Sequence, residues 1–217
     1  MKLFIDSGNI KDIEALVAIG IIDGVTTNPT LLAKEPGDYR ENLKKICQIV
    51  KGPVSGEVTA VDVTGMLQQG REIAKLDQHM IVKVPLTRAG IQACKTLSGE
   101  GIRVNVTLCF SAAQALLAAK AGATYISPFV GRLDDVGTNG MGLIKEIVEI
   151  YNNYDFTTEI LVASTRHPIH VVEAARMGAD ICTCPPALID QLFNHPLTNI
   201  GLEKFLKDWE KSQAGKA

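Results

Sequence analysis

Long apolar runs and a strong net charge are both absent from this sequence. No uninterrupted apolar stretch reaches the ~18 residues that a membrane-spanning helix needs, and the first residues, MKLFIDSGN, place Asp6 where a signal peptide would still be apolar. The formal net charge is only −2, so no basic field is available to attract nucleic acid or an anionic membrane surface. We therefore expect a cytoplasmic protein that has neither a membrane nor a nucleic acid as its partner.

Markers of disulfide, metal and nucleotide chemistry are also scarce. The five cysteines are odd in number and show neither disulfide nor zinc spacing. Only four histidines occur, and His167 and His170 of HPIH fall at the start of a predicted helix without a third ligand nearby, so we interpret them as solvated helix-end residues. No P-loop or G-x-S-x-G motif is present. These absences argue against a metal-dependent aldolase in particular.

Short β-prone runs alternate with amphipathic helical runs along the whole chain. The composition, 46% hydrophobic and 21% charged, is typical of a globular domain, and no linker or low-complexity segment divides the sequence. The first pair is LFIDSG followed by NIKDIEALVAIG, and eight such pairs occur in total. Strict alternation predicts parallel strands. We therefore expect an α/β protein, a single (β/α)8 TIM barrel over residues 1–217, with residues 198–211 as an additional C-terminal helix.

An open, doubly wound sheet is the alternative fold. Such sheets usually carry a glycine-rich phosphate-binding turn after the first strand. The segment DSGNIKDIE contains no such turn, and GTNGMG lies far downstream with different spacing. The barrel is therefore the favoured architecture.

One lysine, Lys83, stands inside the apolar run HMIVKVPLT. A buried ammonium costs several kcal/mol unless a partner compensates it. On a barrel strand, alternate side chains face the interior and the helix layer, and the uniformly apolar face, with Val82 and Val84, belongs under the helices. Lys83 is therefore predicted to point into the barrel near the C-terminal end of its strand, where barrel active sites lie.

Polar side chains mark the ends of most other predicted strands as well. In chain order they are Asp6, Thr27, Asn28, Glu57, Thr59, Asn105, Thr107, Ser127, Arg132, Ser164 and Arg166. Phe129 shares a strand face with Ser127. Burying so many polar groups together without partners would be too costly for a purely structural core. We expect them to meet at one mouth of the barrel.

A lysine among such groups can perform aldol chemistry without a metal. A partly desolvated lysine offers more free amine near neutral pH, and a free amine attacks a ketone to form an imine. The protonated imine withdraws electrons from the neighbouring carbon–carbon bond, and Asp6 and Glu57 are available for the proton transfers. Arg132 and Arg166 suit a phosphate by their fork geometry, with surface salt bridges as their alternative role.

The stretches that carry these residues resemble the transaldolase family, in particular its short-subunit branch, which also contains the fructose-6-phosphate aldolases. The resemblance covers essentially the whole chain. Its markers are FIDSGN, DGVTTNPTLL, SGEVTA, IVKVPLT, the stretch from NVTLCF to SPFVGRLDD, ASTRHP and HPLTNIGLEKFLKDWEK. The resemblance implies a (β/α)8 barrel, sugar-phosphate substrates, no cofactor or metal, and a ring-like homo-oligomer such as a pentamer or decamer.

The same resemblance implies a role for each matching residue. Lys83 would form a Schiff base and Asp6 would be the catalytic carboxylate, while Glu57 and Thr107 would form a proton relay through a water molecule. Substrate contacts are implied for Thr27, Asn28, Asn105, Ser127, Phe129, Arg132, Ser164 and Arg166. Among these, the two arginines and Ser164 would hold the phosphate.

Two positions separate the transaldolases from the aldolases of this branch. Transaldolases resemble this sequence in carrying glutamate at the relay position and phenylalanine in SPFVGR, here Glu57 and Phe129, where the aldolases typically carry glutamine and tyrosine. We therefore expect a transaldolase of the non-oxidative pentose phosphate pathway. It would transfer a dihydroxyacetone unit from sedoheptulose 7-phosphate or fructose 6-phosphate to glyceraldehyde 3-phosphate or erythrose 4-phosphate. A fructose-6-phosphate aldolase, a pyridoxal-phosphate protein and a non-catalytic phosphosugar-binding module are the alternatives.

The last predicted helix has an apolar stripe. Leu202, Phe205, Leu206 and Trp209 recur at helical spacing. Eight strand–helix units complete the barrel without this helix, so the stripe either packs on the outer wall of its own barrel or contacts a neighbouring subunit. The family resemblance favours the neighbouring subunit.

Overall fold

Eight parallel strands close into a barrel in which each strand pairs with the next and β8 pairs with β1. This architecture is that of a computed structural model, which describes residues 1–214. The strands are β1 (Lys2–Asp6), β2 (Gly24–Thr26), β3 (Val54–Glu57), β4 (Met80–Pro85), β5 (Val104–Cys109), β6 (Tyr125–Pro128), β7 (Glu159–Val162) and β8 (Ile181–Cys184). The predicted (β/α)8 barrel is confirmed.

Helices connect successive strands on the outside of the barrel. They are α1 (Ile10–Val17), α2 (Pro29–Leu32), α3 (Tyr39–Val50), α4 (Val63–Ala74), α5 (Arg88–Gly99), α6 (Ala112–Ala121), α7 (Val130–Asp134), α8 (Gly140–Asn153), α9 (Pro168–Met177), α10 (Pro186–Leu192) and α11 (Pro196–Ala214). The sequence pattern does not predict α2 or α7, because helices of 4 and 5 residues are too short to show a helical period. The C-terminal helix begins at Pro196 rather than at residue 198.

Side-chain caps define the start of most of the longer helices. Ser111 caps α6 by accepting a hydrogen bond from the backbone N–H of Gln114. Asp38, Asp62 and Thr87 cap α3, α4 and α5 in the same way. Each cap satisfies a backbone donor that the first helical turn leaves unpaired. Because the caps lie just after strands or their loops, they determine where each strand-to-helix connection ends.

The barrel interior and the helix layer form two separate apolar cores. The interior core contains Phe4, Ile81, Tyr125, Leu161, Ala163 and Ile181. Val82 and Val84 belong to the larger core between strands and helices. Lys83 lies between these two valines and alternates with them, so its side chain points into the barrel above Ile81, as the strand pattern predicts.

The C-terminal helix α11 has no buried residue. The residues Phe205 and Trp209 are 71% and 64% exposed, and Leu202 and Leu206 are exposed beside them. In the single chain, the outer wall of the barrel therefore does not cover the apolar stripe of α11. Within residues 1–214, no helix is both long enough and apolar enough to cross a bilayer.

Candidate active site

Two adjoining cavities open at the C-terminal ends of the barrel strands. One, with a volume of about 180 Å³, is lined by Asp6, Thr26, Asn28, Lys83, Ser127, Phe129, Arg132, Ser164, Thr165, Arg166 and Thr183, among others. The other, of about 400 Å³, is lined by Glu57, Thr107 and Leu108 together with Asn28, Lys83, Phe129 and Arg132. Because the two cavities share four side chains, we treat them as one site that extends to both sides of Lys83.

Lys83 lies at the centre of this site, where only 4% of the residue is exposed. Its Nζ atom is 3.2 Å from Glu57 Oε2 and donates a hydrogen bond of 3.1 Å to the backbone carbonyl of Thr27. The pairing follows from strand register, since Glu57 of β3 and Lys83 of β4 are direct neighbours across the sheet. The carboxylate compensates the buried ammonium, which explains how the barrel can hold a lysine in its interior.

Asp6 ends β1 on the other side of Lys83. Its Oδ1 atom accepts a hydrogen bond of 2.8 Å from the Thr26 hydroxyl, and that hydroxyl is 2.6 Å from the hydroxyl of Thr183. Since Thr26 donates its only hydroxyl proton to Asp6, Thr183 must donate to Thr26. Burial raises the pKa of Asp6, and the charge of Lys83 and the Thr26 hydrogen bond oppose that rise. A carboxyl group in such an environment is suited to exchanging a proton with a substrate hydroxyl.

A second polar chain lies beneath the cavity on β3, β5 and β6. Ser127 donates a hydrogen bond of 2.8 Å to Asn105 Oδ1, and Asn105 Nδ2 donates one of 3.2 Å to Ser55 Oγ. All three residues are buried. Asn105 therefore orients the Ser127 hydroxyl, which is the member of this chain that lines the cavity.

Thr107 lies at an irregularity in β5. The register between β5 and β6 shifts between Val106 and Cys109, and Leu108 has a φ of 59°, in the left-handed region that non-glycine residues seldom adopt. Thr107 Oγ1 is buried and has no hydrogen-bond partner among residues 1–214. A buried hydroxyl of this kind in a cavity wall is available to a water molecule or a substrate oxygen.

Arg132 and Arg166 stand at the rim of the site. The guanidinium of Arg132 lies 5.1 Å from the centre of the Phe129 ring, and no carboxylate of the described residues is within 4.0 Å of its charged nitrogens. Arg166 pairs with Asp135 at 2.7 Å on the exposed side of the rim. Ser164, which also lines the cavity, has a φ of 59°. The two guanidiniums and one serine form a rim that is suited to a phosphate group.

The structure brings most of the sequence-predicted residues into the cavity wall, with three exceptions. Thr27 is buried and donates its hydroxyl to the backbone carbonyl of Ser55 at 2.7 Å, so that only its own carbonyl reaches Lys83. Asn105 lies beneath the cavity, behind Ser127. These two side chains are not among the residues that line the two cavities, and their substrate contacts stay predictions. Thr59 lines a different cavity together with Gln69.

Sequence reasoning missed two hydroxyls of the site, Thr26 and Thr183. Strand alternation contained a usable signal for Thr26, because it lies two residues before Asn28 and therefore on the same face. Thr183 lies between two buried cysteines on β8. Because both cysteines face the core between strands and helices, the polar residue between them points into the barrel interior by the same alternation.

A cluster of His167, His170 and Asp134 lies beside the rim, and its potential ligand atoms are within 4.8 Å of one another. His170 is 3% exposed, so the interpretation of it as a solvated residue is wrong, whereas His167 is exposed. The Nδ1 atom of His170 accepts a hydrogen bond of 3.2 Å from the Arg166 N–H, which places the ring proton on Nε2, 2.9 Å from Asp134 Oδ2. A metal ion would need the Nε2 lone pair that this proton occupies, so the hydrogen bonding argues against a metal ligand role.

Comparison with known proteins agrees with this geometry. The family described as Transaldolase/Fructose-6-phosphate aldolase matches residues 3–215. A protein named "Probable transaldolase" from Kosmotoga olearia is 55% identical over 215 residues, which cover 99% of each chain. Proteins of the same name from Methanococcus maripaludis strain C7 and Caldicellulosiruptor saccharolyticus are each 58% identical, over 97% of this chain and 98% of theirs. The chain therefore belongs to the transaldolase/fructose-6-phosphate aldolase family and is an enzyme of the transaldolase or aldolase type.

Proposed function

We propose that the protein is a transaldolase that moves a dihydroxyacetone unit between sugar phosphates through a Schiff base on Lys83. The observation that carries the proposal is the placement of Lys83, which is buried between Glu57 and Asp6 in a cavity with two arginines at its rim. Even a paired buried lysine often contributes no more stability than apolar residues of similar volume, so its presence here points to a chemical role. The reaction as written needs no metal or organic cofactor.

The first half of the reaction is imine formation. The Lys83 amine attacks C2 of a ketose phosphate such as fructose 6-phosphate, and the resulting carbinolamine loses water to give a protonated imine. Both steps move protons between nitrogen and oxygen. Glu57 is 3.2 Å from the amine, and the unpartnered hydroxyl of Thr107 lies in the same cavity wall, so these two residues are placed to exchange those protons through a water molecule.

The second half is cleavage and transfer. Asp6 takes the proton of the C4 hydroxyl, the C3–C4 bond breaks, and the electron pair moves into the imine to form an enamine while an aldose phosphate leaves. The positive imine favours the charged form of Asp6, as the Lys83 ammonium does in the free enzyme. The enamine then attacks the carbonyl carbon of a second aldose phosphate, and Asp6 returns the proton to the new hydroxyl. Addition of water to the resulting imine releases the new ketose phosphate and restores the Lys83 amine.

A two-substrate assay tests the proposal. The purified protein should convert fructose 6-phosphate and erythrose 4-phosphate into sedoheptulose 7-phosphate and glyceraldehyde 3-phosphate, and EDTA should not affect the rate. Release of free dihydroxyacetone without transfer would instead identify a fructose-6-phosphate aldolase. A visible absorption band in the purified protein would indicate pyridoxal phosphate, and tight binding without turnover would indicate a binding module.

Phe129 is expected to keep the reaction a transfer. Its ring lines both parts of the site and adds no proton or water-binding group next to the enamine. Phe129→Tyr adds a hydroxyl that can protonate the enamine or hold a water molecule, after which the imine hydrolyses. We expect the ratio of free dihydroxyacetone to transfer product to rise roughly tenfold, the effect of one hydrogen bond of ~1.4 kcal/mol.

Phe110 offers a matched control for this substitution. Its ring makes an edge contact with Phe129 at 5.9 Å between centres but does not line the cavity. Phe110→Tyr should therefore leave the ratio unchanged. If both variants behave like the wild type, the Phe129 ring only packs the barrel mouth and the distinction between transaldolase and aldolase loses its physical basis.

We also propose that α11 joins neighbouring subunits of a homo-oligomer, in line with the pentamer or decamer that the resemblance implies. The four exposed apolar side chains of its stripe would lose contact with water in such an assembly. A chain ending before Thr198 should lose the oligomer, as measured by light scattering after gel filtration. A chain ending after Gln213, which keeps the stripe, should remain oligomeric. An unchanged mass in the shorter chain would refute this role.

A further inference from the structure

The helix α7 and the segment after β7 are packed together as one unit. The backbone N–H of Val130 donates to the carbonyl of Ala163 at 3.1 Å, and that of Gly131 donates to the carbonyl of Ser164 at 3.0 Å. Arg132 follows in α7, and Arg166 follows in the opposite segment. The relative position of the two arginines therefore depends on how these two backbones are held against each other.

The side chain of Arg166 crosses directly over Gly131. A Cβ atom at position 131 would lie 2.5 Å from Arg166 Nε and 2.7 Å from its Cγ, so only glycine allows this approach. Beyond Gly131, the guanidinium of Arg166 reaches Asp135, the residue that follows α7. The Arg166 stem thus lies along α7, one residue away from Arg132.

His170 forms hydrogen bonds to both α7 and the segment after β7. It is the third residue of α9, and its Nδ1 atom accepts the backbone N–H of Arg166 at 3.2 Å, much as a capping-box side chain reaches back to the N–H before its helix. Its Nε2 atom lies 2.9 Å from Asp134 Oδ2 at the end of α7. The other oxygen of Asp134 accepts the N–H of Gly140, the first residue of α8.

The ring of His170 must be neutral to make both bonds. Protonation of Nδ1 would place a second donor against the Arg166 N–H and break that bond. Burial lowers the pKa of His170, and the neighbouring His167, whose ring centre is 3.9 Å away, lowers it further, while Asp134 and Glu173 act in the opposite direction. The environment therefore supports the neutral form with its proton on Nε2.

We propose that His170 is a positioning residue for the phosphate site, because it links the Arg166 backbone to Asp134 of α7 and so sets the spacing of Arg132 and Arg166. The inference rests on the proposed function, in which these two arginines hold the phosphate of the substrate. His170 itself does not line the cavity, so any effect it has on substrate binding must act through the arginines.

Two substitutions separate the two bonds of His170. Asparagine keeps an acceptor at the position of Nδ1 but cannot reach Asp134, whereas glutamine keeps a donor at the position of Nε2 but cannot accept from Arg166. His170→Phe fills the volume and removes both bonds. His167→Asn serves as the matched control, because His167 is the exposed neighbour and no side-chain hydrogen bond caps α9 from it within the described residues.

The readout compares ligands with and without a phosphate. We expect His170→Asn and His170→Gln to raise the KM for fructose 6-phosphate and the Kd for inorganic phosphate about tenfold, the effect of one hydrogen bond to a charged group. His170→Phe should raise both values further. Trapping of dihydroxyacetone on Lys83 by borohydride, which involves no phosphate, should proceed at the wild-type rate in every variant, and His167→Asn should behave as wild type throughout.

The outcomes separate this inference from the proposed function. If dihydroxyacetone trapping falls in parallel with phosphate binding, or if neither KM nor the phosphate Kd changes in folded His170→Asn and His170→Gln, the positioning role is refuted. If the wild-type protein binds inorganic phosphate in a His170-dependent manner but is never trapped, the Schiff-base function fails while the positioning role stands. Should His170→Phe fail to fold, the two single-bond variants still decide the question.

Discussion

Replacing Lys83 with methionine is expected to abolish turnover and borohydride trapping together. Loss of a covalent nucleophile lowers kcat on the order of 10⁶-fold, and methionine keeps the length and volume of lysine without its amine. In the wild type, borohydride added with fructose 6-phosphate should leave a three-carbon adduct on Lys83, which mass spectrometry of the digested protein would locate. Appreciable turnover by Lys83→Met would disprove the Schiff-base mechanism.

The same substitution has a stability consequence that serves as an internal check. The side chain of Glu57 is 14% exposed, and Lys83→Met leaves it without its cationic partner. Breaking a buried ion pair on one side destabilises by about 3–5 kcal/mol, with the lower end expected here because Glu57 retains some contact with water. The double variant Lys83→Met/Glu57→Gln removes the uncompensated charge and should regain most of the lost Tm.

Lys2→Met is the control for the loss of turnover and of borohydride trapping. Lys2 also pairs with a carboxylate, Glu159 at 2.8 Å, but it lies at the N-terminal end of β1, at the opposite end of the barrel from the proposed site. Lys2→Met should keep full activity and normal trapping. A loss of activity in Lys2→Met as large as that in Lys83→Met would indicate a general effect on the barrel rather than a chemical role for Lys83.

Replacing Asp6 with asparagine is expected to stop carbon–carbon cleavage while leaving imine formation possible. Loss of a general base lowers the rate by about 10²–10⁴-fold. Because Lys83 and Glu57 remain, borohydride should still trap the variant with fructose 6-phosphate, but the adduct should be the intact six-carbon sugar phosphate instead of the three-carbon unit. A three-carbon adduct formed at the wild-type rate would show that Asp6 is not the base.

Asp6→Asn should also stabilise the protein at neutral pH. Since burial raises the pKa of Asp6, the folded protein holds this proton more tightly than the unfolded chain does. Wild-type stability therefore falls as the pH rises from the ordinary pKa of 3.8 through the folded value, and asparagine, which does not ionise, avoids that loss. The Tm of Asp6→Asn should exceed that of the wild type at pH 7, and the difference should shrink as the pH is lowered.

Asp190→Asn is the matched control for the pH experiment, because Asp190 is exposed on α10. Its Tm should follow that of the wild type at every pH. An Asp6→Asn variant that is less stable than the wild type at pH 7 would mean that the charge interaction with Lys83 outweighs the cost of burying the carboxylate.

Periodicity alone was sufficient for the barrel and for the direction of Lys83. The barrel follows from strand and helix periods, which can be recognised from consecutive residues. The direction of Lys83 follows because a lone cation on an otherwise apolar strand must face a site that uses or compensates its charge. The polar strand ends were equally readable, because parallel strands in a closed barrel present all their C-terminal ends to one mouth.

Contacts between residues that are distant in sequence could not be predicted from these local periods. The hydroxyl chain from Asp6 through Thr26 to Thr183 joins β1, β2 and β8, and the burial of His170 depends on α7, a helix too short to carry a period. The pattern of α11 showed an apolar stripe, but only the folded chain shows that its own barrel leaves that stripe exposed. Pairing, burial and the spacing of the two arginines arise from packing between elements, and no run of neighbouring residues encodes such packing by itself.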